Sequence, residues 1–360
     1  MRPRDLSAHT PYAAGRGIEE VAREVGMDPA DLVKLSSNEN PLGPSPKATA
    51  AVRAAADGVN TYPKADHADL REKIADRWGL TAEQVWLGNG GDGALDYLSR
   101  ALLEPGDEVL TPDPGFAYYD MSTRYHHGRV NSYPLHKSED FAQTPANVLD
   151  AYDGERIVFL ITPHSPTGSE IGHDDILEIA DSVDDDTFVL VDEAYGAYTD
   201  QPSAVPLMDG RDDIGVLRTF SKSYGLAGLR VGYILTPEAW GDAYDYVNTP
   251  FAVNTLALKA AMAALDDDEF VERSVEMAAW SREFLYENLA AKTWESAGNY
   301  VLAEVGDGAA VQQAAQERGV IVRDCASFGL PECIRITTGT KEETRRAVEV
   351  LNEVVATVQR

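Results

Sequence analysis

The chain has 360 residues and a formal charge of −29, with 31 basic against 60 acidic side chains, and only nine of the basic residues are lysine. Wrapping a nucleic-acid backbone or an anionic membrane needs a clustered basic surface, which this composition excludes. A hydrophobic fraction of 44%, with five Trp, sixteen Tyr, nine Phe and two Cys, provides for a large core and excludes both a disordered chain and a disulfide-stapled miniature fold.

In chain order, residues 1–40 hold Pro, Gly and polar residues and read as an arm and connector. The opening has no apolar signal core, and no run of about 18 apolar residues follows anywhere, so neither a secretion signal nor a membrane span is expected. From Thr81 to Tyr233 short apolar runs alternate with amphipathic segments, the pattern of an α/β unit with a mostly parallel sheet and helices on both faces. Strands are predicted at 84–87, 108–111, 156–162, 188–192, 216–219 and 232–235. Between the first two, Ala94, Leu95, Tyr97, Leu98, Ala101 and Leu102 recur at helical spacing. From about Pro250 the character changes to helices at 256–265 and 270–289, strands at 300–304, 320–323 and 334–338, and a final helix from Glu342, a smaller α+β unit. The division expected is 1–40 arm and connector, 41–247 large domain and 248–360 small domain. Cys325 and Cys333 lack His partners at zinc spacing, which points away from a metal site and toward a reducing cytoplasm.

Ligands in such sheets sit beyond the carboxyl ends of the strands. Four strand ends carry candidate chemistry. Gly88-Asn-Gly-Gly-Asp-Gly93 lies between a strand and a helix, where free amides suit a phosphate; the same glycine pattern also reads as a dinucleotide-binding turn, hence an NAD-dependent oxidoreductase, or as a plain tight turn. The stretch from Thr219 to Tyr233 holds Lys222 between two serines, with Arg230 eight residues on. In a lysine-poor chain an apolar setting favours a lysine poised for Schiff-base chemistry, with Ser221 and Arg230 as phosphate ligands. The apolar strand at 188–192 ends in Asp192, followed by Tyr195; alone, that acid reads equally as a turn cap. Ile161 to Gly168 closes another strand with a stiff, Pro-containing loop.

One cofactor uses a lysine, a phosphate anchor, a carboxylate and a phenol together, namely pyridoxal 5'-phosphate. The chain resembles the fold-type I pyridoxal-phosphate aminotransferases, and within them the branch acting on histidinol phosphate. The likeness runs from Thr10-Pro-Tyr12 and Ser37-Asn-Glu-Asn-Pro41 through Val191-Asp-Glu-Ala-Tyr195 and Phe220-Ser-Lys222 to Cys333-Ile-Arg-Ile-Thr-Thr-Gly339. By that resemblance Lys222 carries the cofactor aldehyde and moves the substrate proton, Asp192 pairs with the ring nitrogen, and Tyr195 hydrogen-bonds the ring oxygen O3'. Gly91, Asp92, Ser221 and Arg230 would hold the phosphate, with Tyr62 reaching in from a second subunit of a homodimer, and Phe116 would stack on the ring. Tyr12, Asn38, Arg323 and Arg335 would bind the amino donor and 2-oxoglutarate. Aromatic amino-acid aminotransferases and a threonine-phosphate decarboxylase share the cofactor residues and stand as alternatives.

One residue departs from the family pattern. Ser165-Pro-Thr-Gly168 stands where the family usually has Asn-Pro-Thr-Gly, whose asparagine bonds O3'. The shorter hydroxyl predicts a weakened or lost bond with the cofactor still bound, hence a slower enzyme or a paralogue of low activity. The acidity is expected to reflect a high-salt cytosol, where a dense carboxylate shell keeps a protein hydrated.

Overall fold

The computed structural model describes Leu6, His9 and residues 15–358. Among these residues twelve strands form two sheets. β1 (Val33–Leu35) is followed by β2 (Val85–Gly88), β3 (Glu108–Asp113), β4 (Arg129–Pro134), β5 (Ile157–Ile161), β6 (Phe188–Asp192), β7 (Ile214–Thr219) and β8 (Gly232–Leu235). Then come β9 (Lys292–Thr293), β10 (Tyr300–Glu304), β11 (Val320–Asp324) and β12 (Cys333–Thr337).

The large sheet has seven strands in the order β2-β8-β7-β6-β5-β3-β4. All neighbouring pairs are parallel except those made by β8, which runs antiparallel to both β7 and β2. Every residue of β5 and β6 is buried, as expected of central strands covered by helices on both faces. Their uninterrupted Val, Ile, Leu and Phe made them readable in sequence. β4 was not predicted, because Arg-Val-Asn-Ser-Tyr-Pro forms a largely accessible edge strand with no apolar run. Since β3, β5, β6 and β7 are parallel neighbours, the loops that follow them open on one edge of the sheet. Those loops carry Phe116, Ser165, Tyr195 and Lys222.

The second sheet has the order β1-β11-β12-β10-β9. Residues 33–35 were read as part of the arm and connector; they pair in parallel with β11, register Val33 with Val320 and Leu35 with Val322. Three residues are too few to show an alternation. Helices Asp268–Asn288, Gly308–Gln316 and Lys341–Val358 contribute Leu285, Val311, Ala315, Ala347 and Leu351 to the core beneath this sheet. The antiparallel pairing of β11 with β12 sets Arg323 opposite Arg335.

Candidate active site

The helix Gly90–Leu102 starts directly beyond β2, so its first-turn amides are unpaired within the helix and the positive end of its dipole faces outward. Glycine is required here by close approach: a Cβ on Gly88 would lie 2.2 Å from the Ala94 amide nitrogen, and one on Gly90 2.4 Å from Arg230 Nη2. Arg230 itself has a φ of 54° and donates from Nη2 to Asp92 Oδ2 at 3.1 Å. Burial pushes the Asp92 carboxyl above the usual carboxylate range, although Arg230 and Lys222 both pull it down. Ser221 is buried and its Oγ accepts from the Thr219 hydroxyl at 3.0 Å. A cleft of about 460 Å³ opens beside Asn89, Asp92, Tyr118 and Arg230. The glycine run does not belong to a dinucleotide fold, for β2 is an edge strand whose sole partner is the antiparallel β8, whereas that reading needs a parallel βαβ unit.

Asp192 closes β6 with its carboxylate 5% exposed. Oδ1 accepts the Ala194 amide at 2.8 Å and Oδ2 accepts the Tyr119 hydroxyl at 2.5 Å. Burial pushes the carboxyl up to about 6, against the pull of those two hydrogen bonds. No cation pairs with it among the described residues. Tyr119, which sequence reasoning missed, lies on the helix Ala117–Tyr125 three positions after Phe116, and that helical spacing was the available signal. The Phe116 ring meets Tyr119 edge to face at 5.5 Å.

Lys222 lies in the loop after β7 with its Nζ 5.4 Å from the centre of the Tyr195 ring. The loop is fixed from outside by Asn40, whose Nδ2 donates to the carbonyls of Lys222 at 3.3 Å and Ser223 at 3.0 Å. Asn40 belongs to the quoted Asn-Glu-Asn-Pro motif, yet was given no role from sequence. Tyr195 is 9% exposed, packs edge to face on Tyr300, and its oxygen accepts from Asn38 Nδ2 at 2.9 Å. Burial alone would raise this phenol. Lys222, Arg335 and hydrogen bonds from Asn38 and Ser165 outweigh it, and the pKa lies below the ordinary value.

Ser165 Oγ accepts from Arg335 Nη1 at 3.0 Å. Arg335 is 8% exposed, donates from Nη2 to the Ser36 carbonyl, and keeps a buried Nε with no partner. Its guanidinium faces the rings of Tyr300 and Phe328, and no carboxylate pairs with it among the described residues. Arg323 lies across the strand pair, donating to Ser327 Oγ at 3.1 Å. His164 holds the Ser165 loop through Thr167 Oγ1 and the Pro114 carbonyl, and burial lowers its pKa to about 3, so it stays neutral. Contacts thus join Lys222 to Tyr195, Tyr195 to Asn38 and Ser165 to Arg335, and Asp192 ends the strand beside the one that leads to Lys222. Tyr62 does not join them within its own chain: it is 82% exposed and stacks on Phe251. Tyr12 lies outside the described residues.

The sequence profile of the aminotransferase class I and II family matches residues 30–351. The chain belongs to that family. Relatives named histidinol-phosphate aminotransferase include those of Haloarcula marismortui, 64% identical over all of both chains, and Natronomonas pharaonis, 63% identical over 99% of this chain and all of the relative. Among solved structures, the histidinol-phosphate aminotransferase of Sinorhizobium meliloti in complex with pyridoxal 5'-phosphate superposes with a TM-score of 0.88 at 27% identity, covering 99% of this chain and 98% of that one. An aspartate aminotransferase of Thermus thermophilus, with maleate, gives 0.83 at 25% identity over 98% and 100%. The residues of this chain fit pyridoxal 5'-phosphate: Asp192 is a buried carboxylate with no cation, and the Lys222 ammonium has no carboxylate against it among the described residues.

Proposed function

We propose that the site binds pyridoxal 5'-phosphate and transfers the amino group of L-histidinol phosphate to 2-oxoglutarate, giving imidazole acetol phosphate and L-glutamate in histidine biosynthesis. The observation that carries this reading is the placement of Lys222 and the buried, cation-free Asp192 beyond the same ends of adjacent parallel strands. When bound, the cofactor supplies an electron sink that makes the donor's Cα proton acidic.

Asp192 offers a negative charge where a protonated ring nitrogen would sit, and its burial without another cation makes that pairing strong. Tyr195 offers a phenol to the ring oxygen. Lys222, on a loop held by Asn40, is the base and acid that takes and returns the Cα proton. The first amides of Gly90–Leu102 at Gly91 and Asp92, with Ser221 and Arg230, receive the cofactor phosphate. Phe116 presents a π face, which suffices for stacking. Arg335, with a buried unpartnered Nε, and Arg323 form an anion site for the donor phosphate and, in the return reaction, a 2-oxoglutarate carboxylate; Tyr12 is assigned to the same site.

We further infer a homodimer in which Tyr62 of one protomer reaches the phosphate end of the other's site, since its ring is 82% exposed and lies apart from the site of its own chain. The proposed division remains 41–247 and 248–360, with β1 adding residues 33–35 to the smaller unit's sheet and the helix Thr255–Ala264 packing Ala257, Ala260, Ala261 and Ala264 into the larger unit's core. Two buried, unpaired thiols support a reducing cytoplasm. The test is colour. Purified protein should absorb in the visible and lose that band, together with transaminase activity, in Lys222→Ala; an unchanged band in the variant overturns the assignment of Lys222.

A further inference from the structure

We propose that Asn38 is a positioning residue for Tyr195: its side-chain amide donates to the phenol oxygen and leaves the phenol proton free for the cofactor's ring oxygen. The proposal rests on the reading of the site as a pyridoxal-phosphate centre.

The amide's orientation follows from its surroundings. Asn38 is 1% exposed and has a φ of 53°, a conformation asparagine tolerates better than most residues. Its backbone N–H donates to Thr337 Oγ1 at 2.9 Å, and the Thr337 hydroxyl donates back to Asn38 Oδ1 at 3.1 Å. With Oδ1 held as an acceptor by β12, Nδ2 is the atom facing Tyr195, at 2.9 Å. Asn299 Nδ2 donates to the Asn38 carbonyl at 3.1 Å and closes the clamp from the β10 side. A phenol oxygen that accepts a hydrogen bond keeps its own O–H for a third group and donates it more strongly.

Ser165 occupies the position where related enzymes usually place an amide; its oxygen accepts from Arg335 Nη1 at 3.0 Å, and its hydroxyl is a second donor beside Tyr195. The amide donor at the phenol is Asn38, held by Thr337 on β12 two residues beyond Arg335, so the element that carries the anion-binding arginine also orients Tyr195. Sequence reading placed Asn38 among the substrate-binding residues, and the two roles move different quantities.

The experiment titrates the visible band of the holoenzyme with pH in Asn38→Ala, Asn38→Asp and Thr337→Val, with steady-state kinetics on the same preparations and circular dichroism to verify folding. A ring oxygen that loses a strong donor holds the neighbouring proton more tightly. The band's midpoint should rise by about half to one pH unit in Asn38→Ala, the effect of one neutral hydrogen bond. It should rise further in Asn38→Asp, which sets an acceptor where the donor stood, and less in Thr337→Val, which keeps the amide but frees it. kcat should fall roughly three- to tenfold while KM for histidinol phosphate changes less than about twofold. An increased KM with an unmoved midpoint would overturn the proposal in favour of substrate binding. An Asn38→Asp enzyme indistinguishable from wild type would overturn it by making Asn38 the acceptor. Wild-type protein with no visible band would remove the cofactor reading and the proposal together.

Discussion

Asp192 is the residue whose chemistry is most sensitive to what the site contains. With its pKa pushed up to about 6 by burial, against ~3.9 in an unfolded chain, the folded protein binds more protons than the unfolded one between those values. Stability contributed by this group is therefore lost as pH rises through the window and stays lost above it. For cofactor-free protein, Asp192 should cost on the order of 1 kcal/mol more at pH 7 than at pH 5. Asp192→Asn carries no such charge, so the unfolding free energy of wild type should fall relative to the variant over that range; parallel curves would contradict the assignment. A positive ring nitrogen would reverse the penalty, because it stabilises the same charge. At this scale the sequence showed which side chains end strands, since Lys222, Asp192, Tyr195 and Ser165 follow readable apolar runs. It could not show that Tyr119 bonds Asp192 across 73 positions or that Asn38 bonds Tyr195 across 157. Those contacts exist only once helix and sheet are packed.

Between elements, the ends of β6 and β7 are tied by an ion pair whose carboxylate is buried. Glu193 follows Asp192, is 4% exposed, and accepts from Arg218 Nη1 at 2.5 Å, the Ser203 hydroxyl at 2.7 Å and the Ala204 amide at 2.5 Å. The Arg218 guanidinium lies over the Trp78 ring at 4.8 Å. Removing one partner strands the other charge, so Arg218→Met should lower the unfolding free energy by about 3–5 kcal/mol. The double variant Glu193→Gln/Arg218→Met should lose less, because the neutral amide's oxygen still accepts the Ala204 N–H and its NH2 donates to the Ser203 hydroxyl. Equilibrium denaturation measures both, and a loss below about 1 kcal/mol in Arg218→Met would contradict the account. Elements were legible where burial is continuous or strictly periodic. The short β1 and the polar edge strand β4 carry neither signal, and pairing with β11 and β3 creates them. The reversed direction of β8, which turns the glycine run from a dinucleotide turn into a helix start at a sheet edge, is likewise a property of pairing.

Over the whole molecule a charge of −29 opposes a phosphorylated cofactor and a phosphorylated substrate. In the proposed reading recognition is local, through Arg230, Arg323, Arg335 and one helix N-terminus, and high ionic strength screens distant carboxylates more than it weakens such short contacts. The 60–64% identical relatives come from halophilic archaea, which matches the acidity. No helix among the described residues is long and apolar enough to cross a membrane. The central claim is that the paired arginines of the small sheet select a phosphorylated amine over an amino acid with an aromatic side chain. It is tested most directly by kcat/KM in molar KCl, with 2-oxoglutarate as acceptor and histidinol phosphate, phenylalanine and tyrosine as donors in turn. The account predicts a preference for histidinol phosphate of roughly 100-fold or more, the discrimination of a site whose buried donors go unpaired with the wrong ligand; equal or faster turnover of the aromatic acids would contradict it.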